Sequence, residues 1–406
     1  MGLHRFKPIP SGRMGLLWVL STIKDAAIVE YGCMGHMLYS GVSLQRAGIN
    51  CTHHYSTHID ETDIALGRSF RIEKTIEDIL SKNSYKVIFL LPSAVPEVIG
   101  VDMRGICNEL SLRYDVSLIS FDCGSFSKNS YDGVEEGLYQ LVTNLVKPLP
   151  RNKELCYNII GACSDYFRFK EDTNELKRLL KSGFGIGENC ILTANTTIRQ
   201  IEEITRAHIN IVIRAEGLKA AKYLKDKYGM PYVYGRPYGV KGTLLWLEDI
   251  SQVLNMAIHM PFVKEEETLI KQVIEPALPQ LHHKIRSHPK EVELTIGGPY
   301  DVVNGIKNFA TNEFHIPIKA IWCDRPQQDT EDIPYYCEEE WIKAIDEASG
   351  IIMASGEVLQ WKKLNQDCQI CNPDTKWRLH SSYPPLVGHR GALNIISMWI
   401  NSIAGK

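Results

Sequence analysis

The stretch AAIVEYGCMGHM (residues 26–37) joins a short apolar run to a glycine-flanked cysteine and the start of an amphipathic segment. A continuous apolar run of this length is typical of a strand buried in a parallel sheet, and the residues after it have helical periodicity. Ligands bind at the carboxyl ends of such strands, where a helix N-terminus favours a thiolate at Cys33. Gly32 and Gly35 would let a bulky group approach the backbone. A buried packing cysteine is the alternative at this position.

Similar apolar runs alternate with amphipathic stretches along the whole chain, for example YKVIFLL (85–91) and DVSLISF (115–121). This alternation predicts an α/β fold with parallel sheets flanked by helices. The proline-rich, charged segment KPLPRNKE (147–154) indicates a first boundary, and a polar stretch near residue 282 indicates a second. The predicted domains are residues 1–150, 151–280 and 281–406.

Charge and composition exclude several classes of protein. The 406 residues carry 45 basic and 48 acidic side chains, a net charge of -3, so nothing suggests a nucleic-acid partner. The longest early apolar stretch, MGLLWVLSTI (14–23), is too short to span a bilayer, and no signal peptide is visible. Eleven cysteines, an odd number, then favour a reducing, cytoplasmic location without a membrane anchor. No phosphate-loop motif is present, so any ATP dependence would come from a partner.

Ser93 follows the second apolar run, in LLPSAVPEVIGVDM (90–103). Because the carboxyl ends of parallel strands meet at one edge of a sheet, we expect Ser93 on the same edge as Cys33. Pro92 and Pro96 would fix the loop between them. A purely structural turn is the alternative.

Three further groups of ligand-type residues have weaker patterns. They are Cys51, His53, His54 and His58 in NCTHHYSTHIDETD (50–63), the pair in CQIC (368–371), and His380, His389 and Arg390 before the last predicted helix. The first group fits no standard zinc spacing and the second lacks a matching pair, so ordinary side chains are favoured in both. The third group either holds an anion or cofactor edge at the helix N-terminus or serves in packing and capping.

The order of four motifs resembles the first domain of nitrogenase component 1 and its relatives. The motifs are VEYGCMGHMLYSG, HIDETDIALG, LLPSAVPEVIGVDM and FDCGSFSKNSYDGVEEGL. That family has, in the same order, a Gly-Cys loop, an E-x-D-x-x-x-G segment, a strand-end loop with a cysteine, and a G-F-x-G-S segment. KYGMPYV with GVKGTLLWLEDI resembles the second domain, and PPLVGHRGALNIISMWINSI resembles the C-terminal segment of β-type subunits.

The resemblance implies three Rossmann-like α/β domains and a heterotetramer or dimer of homologous α and β chains. It also implies an iron-sulfur cluster at the α/β interface and a separate ATP-dependent iron protein that delivers electrons. Cys33 matches the glycine-cysteine cluster ligand of the family. Gly32 and Gly35 would then line the cluster through their backbone N–H groups.

Departures from the family pattern indicate the type of subunit. Ser93 and Ser11 stand where the family has cluster cysteines, so this chain offers one thiolate. That implies a four-iron, four-sulfur cluster completed by the partner, with a P-cluster-like centre as the alternative and the two serines shaping or ligating it. Ile213 and Arg214, in NIVIRAEG, stand where an α subunit holds its cofactor cysteine. The chain is therefore similar to a β subunit, and the partner would hold the catalytic cofactor.

The resulting hypothesis is a β-like subunit of a nitrogenase-like, iron-protein-dependent reductase that relays electrons to the partner's cofactor. Its trimmed length is typical of nitrogenase-like reductases. Its Gly-Cys context, YGCMGHM, differs from the HGPxGC of many tetrapyrrole enzymes, so reductive cleavage of a carbon-sulfur bond is the candidate reaction. The alternatives are a non-catalytic scaffold subunit for nitrogenase-cofactor assembly, a tetrapyrrole reductase subunit, or a structural partner that has lost the cluster.

Overall fold

Three four-stranded parallel sheets organise the fold of this computed structural model. It describes residues 10–66, 70–98, 100–123, 128–325, 332–361, 364, 368–372 and 384–404. The strands are β1 (Ala27–Tyr31), β2 (His54–Ser56), β3 (Val87–Pro92), β4 (Ser117–Ser120), β5 (Cys156–Ala162), β6 (Gly187–Thr193), β7 (Ile209–Val212), β8 (Tyr232–Tyr234), β9 (Leu294–Gly298), β10 (Ile318–Cys323), β11 (Ile351–Ser355) and β12 (Gln369–Cys371). Their orders are β2-β1-β3-β4, β6-β5-β7-β8 and β10-β9-β11-β12.

Helices connect the strands, as parallel pairing requires. They are α1 (Gly12–Leu20), α2 (Met34–Arg46), α3 (Glu61–Ala65), α4 (Phe70–Lys82), α5 (Ala94–Val98), α6 (Met103–Tyr114), α7 (Ser130–Leu145), α8 (Phe169–Phe184), α9 (Ile198–Glu202), α10 (Leu218–Tyr228), α11 (Val240–Leu254), α12 (Met260–Ile274), α13 (Leu278–Ser287), α14 (Pro289–Val292), α15 (Tyr300–Phe314), α16 (Glu338–Asp346), α17 (Gly356–Trp361) and α18 (Gly388–Ala404). No helix in the described part of the chain is long and apolar enough to cross a bilayer.

The first sheet positions the candidate site. Every residue of β1 and β3 is buried, which explains why both strands are apolar in sequence apart from Glu30. The helix α4 covers the sheet with an apolar stripe of Ile72, Ile76 and Ile79 at helical spacing. The strands β1 and β3 pair in register, so Tyr31 lies beside Pro92 and the two strands end together.

The helix α1 packs against α7 at backbone contact distance. A side chain at Gly15 would overlap the carbonyl of Ser130, and one at Gly133 would overlap the carbonyl of Gly12. Only glycine permits this approach, because any Cβ would force the two helices apart. The close packing holds the first turn of α1, including Arg13, in place beside the first sheet.

The described chain divides into two compact units. One comprises residues 10–165 and 188–232 and contains the first two sheets apart from a few end residues, and the other comprises residues 166–187 and 233–404. The boundaries 1–150, 151–280 and 281–406 stay a prediction. The helix α11 ends at Leu254, where Asn255 adopts a left-handed conformation with φ of 50°, and α12 begins at Met260.

Candidate functional site

Cys33 lies at the junction between β1 and α2. It is the N-cap residue of α2, with an extended backbone at φ -78° and ψ 151°, and its side chain makes no capping hydrogen bond. The thiol is partly exposed and packs beside the apolar core under the first sheet. As the N-cap residue, Cys33 lies at the end of α2 where unpaired backbone N–H groups and the positive end of the helix dipole are found.

Two side-chain hydroxyl groups form hydrogen bonds to the backbone of Gly32. Its N–H donates to Thr57 Oγ1 at 3.0 Å, and its carbonyl accepts from Ser56 Oγ at 3.1 Å. The N–H of Ser93 donates to the carbonyl of Tyr31 at 3.0 Å, which ties the end of β3 to the end of β1. The structure thus places Ser93 at the same sheet edge as Gly32 and Cys33.

A small cradle at Gly32 is lined by two unsatisfied polar atoms. A Cβ at this glycine would overlap Ser93 Oγ and would lie 3.8 Å from His36 Nδ1. Ser93 is fully buried, and among the described residues neither its hydroxyl nor His36 Nδ1 has a hydrogen-bond partner. Buried polar atoms in native proteins are nearly always paired, so two orphans at one point indicate a place for a bound group. His36 was not predicted from the sequence as a site residue.

A buried charge network lies behind the cradle. Glu30 of β1 accepts hydrogen bonds from His54 Nε2 at 2.6 Å and Ser40 Oγ at 2.9 Å and forms an ion pair with Arg13. Burial alone would raise the pKa of Glu30, but the His54 hydrogen bond and the Arg13 charge hold the pKa below its ordinary value. Burial, followed by the Arg13 charge, lowers the pKa of His36.

The outer face of α2 is apolar. Met34, Leu38, Tyr39 and Val42 are each between 42% and 56% exposed and share one side of the helix. A Cβ at Gly35, on the first turn of this helix, would meet no atom within 4 Å. We call these four side chains the α2 apolar face. It begins at the residue after Cys33, and contiguous exposed apolar side chains of this kind mark contact sites.

Ser11 is the N-cap residue of α1 and forms an isolated bridge with Asn129. Its side chain makes no capping hydrogen bond. Two residues later, Arg13 connects the first turn of α1 to Glu30 in β1. Ser11 thus belongs to the same unit as the cradle, and Arg13 is the link between its helix and the site.

Arg214 fills the carboxyl end of β7 in the second sheet. It is fully buried and forms a bidentate pair with Asp165 at 2.6 and 2.8 Å and a third bond to Glu216 at 2.8 Å. A Cβ at Gly161, which has φ of 102°, would lie 2.5 Å from Arg214 Cγ. The side chain of Arg214 and its two carboxylates therefore fill the position where the resemblance places an α-type cofactor cysteine, and Ile213 beside it is also buried.

The comparison with protein families decides the assignment of the fold. The profile of the nitrogenase component 1 type oxidoreductases matches residues 11–404, nearly the whole chain. The chain belongs to the nitrogenase component 1 family. The match runs from the N-cap of α1 to the end of α18 and includes Cys33, Ser93 and Arg214.

Two kinds of curated relative are similar to this chain. One subunit of the light-independent protochlorophyllide reductase of Roseobacter denitrificans is 25% identical over 205 residues, which cover 50% of this chain and 39% of the relative. The nitrogenase iron-molybdenum cofactor biosynthesis protein NifE of Clostridium pasteurianum is 25% identical over 299 residues, which cover 72% and 63%. The chain spans only about two fifths of the length of the first of these relatives.

A solved structure confirms the α/β fold with three parallel sheets. Nitrogenase Cp1 at pH 6.5 superposes with a TM-score of 0.80 at 14% identity, covering 100% of this chain and 95% of that one. At this identity the likeness establishes the fold alone. The fold expected from the motif order is therefore correct.

The histidines of the segment after α2 each contact a different partner. His54 bonds to Glu30, whereas His53 Nδ1 lies 2.6 Å from the hydroxyl of Tyr85 and His58 Nε2 lies 3.1 Å from Met34 Sδ. Burial raises the pKa of the half-buried Cys51. These four side chains do not converge, and no group of three metal-binding residues is found within the ranges that the structure describes.

The remaining candidates lie toward the C-terminus. Cys368 Sγ lies 2.9 Å from Ser402 Oγ. Burial raises the pKa of Cys371 well above its ordinary value, which disfavours thiolate chemistry at that residue. His380 lies outside the described residues. Arg390 is largely exposed, and its backbone N–H donates to Glu175 Oε1 at 3.3 Å.

His389 is fully buried in α18 with neither ring nitrogen hydrogen-bonded among the described residues. Burial lowers its pKa to about 4, from an ordinary 6.5.

Between pH 4 and pH 6.5 the unfolded chain therefore binds a proton at His389 that the folded chain does not. We expect the free energy of unfolding to fall by about 3 kcal/mol as the pH drops from 6.5 to 4. His389→Leu should remove this acid-dependent loss in denaturant titrations at several pH values. The exposed-site control His283→Leu should retain it, and parallel curves for wild type and His389→Leu would contradict the expectation.

Proposed function

We propose that this member of the family is a β-like subunit of an iron-protein-dependent, nitrogenase-like reductase. In this proposal Cys33 ligates an iron-sulfur cluster shared with a homologous α-like subunit. The observation that carries it is the cradle at Gly32. There two buried polar atoms beside Gly32, Ser93 Oγ and His36 Nδ1, have no partner in the described chain, and the next residue along is Cys33, the N-cap of α2.

The residues fit one corner of such a cluster. Thiolates are the usual protein ligands of iron-sulfur clusters, and N–H and O–H groups directed at the sulfurs stabilise their negative charge. Cys33 supplies the thiolate and Ser93 the hydroxyl, Gly32 lets Ser93 approach the backbone closely, and Gly35 leaves the space next to the backbone open. When bound, the cluster supplies one-electron transfer. A single thiolate favours a four-iron, four-sulfur cluster completed by cysteines of the partner over a P-cluster-like centre, and Ser11 would shape the same edge.

The α2 apolar face supports the α-like partner. It starts directly after Cys33, so a chain that covers it would bring its own ligands to the cluster while removing four exposed apolar side chains from water. Two such pairs would form the proposed heterotetramer, and the iron protein would be the ATP-dependent electron donor.

The catalytic cofactor is assigned to the partner in this proposal. Arg214, Asp165 and Glu216 fill the carboxyl end of β7 with a buried, mutually bonded set of charges. Ligands of open α/β sheets bind at such ends. A site already filled by a paired arginine leaves this chain to hold the cluster and to position it for electron relay.

The relatives support two other assignments of the same chain. Similarity to NifE over 72% of the chain supports a scaffold on which a nitrogenase cofactor is assembled. Similarity to subunits of light-independent protochlorophyllide reductase supports a tetrapyrrole reductase. As the reaction we propose reductive cleavage of a carbon-sulfur bond, because the Gly-Cys context of Cys33 differs from that of many tetrapyrrole enzymes.

The cluster is tested on the complex of this chain with its co-expressed α-like partner, purified without oxygen. We expect stoichiometric iron and an electron paramagnetic resonance (EPR) signal after reduction with dithionite. A complex that assembles without iron would overturn the cluster assignment. Turnover is then measured with the iron protein, ATP and methylthio-alkane or tetrapyrrole substrates, and reduction of any external substrate excludes a pure scaffold.

A further inference from the structure

His36 lies one turn into α2, three residues after Cys33. Residues at this spacing are neighbours on a helix surface, so the imidazole and the thiol lie on adjacent positions at the helix start. The backbone N–H of His36 donates to the carbonyl of Cys33 at 3.2 Å, and its carbonyl accepts from Ser40 Oγ at 2.8 Å. The backbone of His36 is thus fixed, and its Nδ1 is buried with no partner in the described part of the chain.

A second, independent atom points to the same place. Ser93 comes from the end of β3, a different element, and its hydroxyl is fully buried and equally unpaired among the described residues. Both atoms approach the position that a Cβ of Gly32 would take. Leaving one buried polar atom unsatisfied costs about 1–3 kcal/mol, so two such atoms around one point are best explained by a polar or charged group that they contact.

We propose that His36 donates a hydrogen bond from Nδ1 to a sulfur of the cluster held by Cys33. This inference rests on the proposed function and adds to it a residue that the cysteine pattern does not reveal. A donor to sulfur stabilises the reduced cluster more than the oxidised one, because reduction increases the negative charge on the sulfurs. His36 thereby sets the reduction potential of the cluster, while Cys33 holds the metal.

The test compares His36→Ala with His36→Asn in the purified complex. Asparagine places an amide N–H close to the position of Nδ1, whereas alanine removes the donor. Redox titrations monitored by EPR should show the His36→Ala cluster about tenfold harder to reduce, a shift of about 59 mV to more negative potential for one electron. His36→Asn should stay close to wild type. His53→Ala, whose ring bonds to Tyr85 instead, is the matched histidine control and should leave the potential unchanged.

The outcomes separate this inference from the proposed function. If wild type contains no cluster, the proposed function itself fails. If wild type and His36→Ala bind equal iron at equal potential, only the role of His36 is overturned. If His36→Ala loses iron but His36→Asn retains both the iron and the wild-type reduction potential, the result still supports a hydrogen-bond donor at position 36. Loss of iron in both variants overturns the proposed hydrogen bond.

Discussion

Replacement of Cys33 by alanine is expected to remove the cluster from the co-purified complex. We expect at least a tenfold fall in bound iron and loss of the EPR signal, because Cys33 directly follows Gly32 at the carboxyl end of β1 and is the cluster thiolate of the proposed function. Ser93 and His36 offer oxygen and nitrogen atoms, and these do not replace a thiolate as an iron-sulfur ligand.

Cys51→Ala is the matched control for Cys33→Ala. Cys51 belongs to the same unit and is also half-buried, but it precedes β2, near the amino end of that strand, and burial raises its pKa. Iron content and the EPR signal should be unchanged in this variant. Circular dichroism and Cys33→Ser, which nearly preserves side-chain volume, check that Cys33→Ala has not simply unfolded the chain. An unchanged EPR signal in Cys33→Ala would remove Cys33 from the ligand set.

The position of Cys33 and Ser93 at one sheet edge could be predicted from sequence for a simple reason. Strands buried on both faces read as unbroken apolar runs, and in a parallel sheet all of these runs end on the same edge. The residue that follows each run is therefore placed without knowledge of the strand order. The family resemblance then added the ligand role of Cys33, which the alternation of strands and helices alone leaves open.

The role of His36 and the network behind it could not be predicted in this way. Glu30 was the available signal, since a carboxylate inside an otherwise apolar strand requires a buried partner. Its partners come from 17 residues upstream, Arg13, and 24 residues downstream, His54. The helix α1, which carries Arg13, was itself not predicted. Glycines in a sequence usually indicate a flexible segment, whereas those of α1 allow its close contact with α7.

The histidine-rich segment shows why closeness in sequence is a poor guide to a metal site. His53 and His54 are adjacent, but side chains alternate in direction as the chain enters β2. One ring therefore bonds to Tyr85 and the other to Glu30. By contrast, Ser93 and Gly32 are 61 positions apart and adjoin, because β3 pairs beside β1.

Replacement of Arg214 by methionine is expected to lower the free energy of unfolding by about 3–5 kcal/mol. The reason is that methionine preserves much of the volume but removes the buried cation that Asp165 and Glu216 both contact. Denaturant unfolding monitored by fluorescence measures this loss. Arg104→Met is the matched control: Arg104 pairs with Asp122 at 3.1 Å on the surface, and its loss should cost less than about 1 kcal/mol.

The combined variant Arg214→Met, Asp165→Asn, Glu216→Gln discriminates a charge effect from a packing effect. With all three charges removed, no unpaired carboxylate of this set stays buried, and most of the lost stability should return. Equal losses in Arg214→Met and Arg104→Met would contradict the assignment of Arg214 to a buried ion-pair cluster at the end of β7.

This ion-pair cluster lies away from Cys33 in sequence and belongs to the second sheet. Arg214→Met should therefore retain cluster iron whenever the chain stays folded. Loss of iron from the folded variant would show that the two strand ends are not independent.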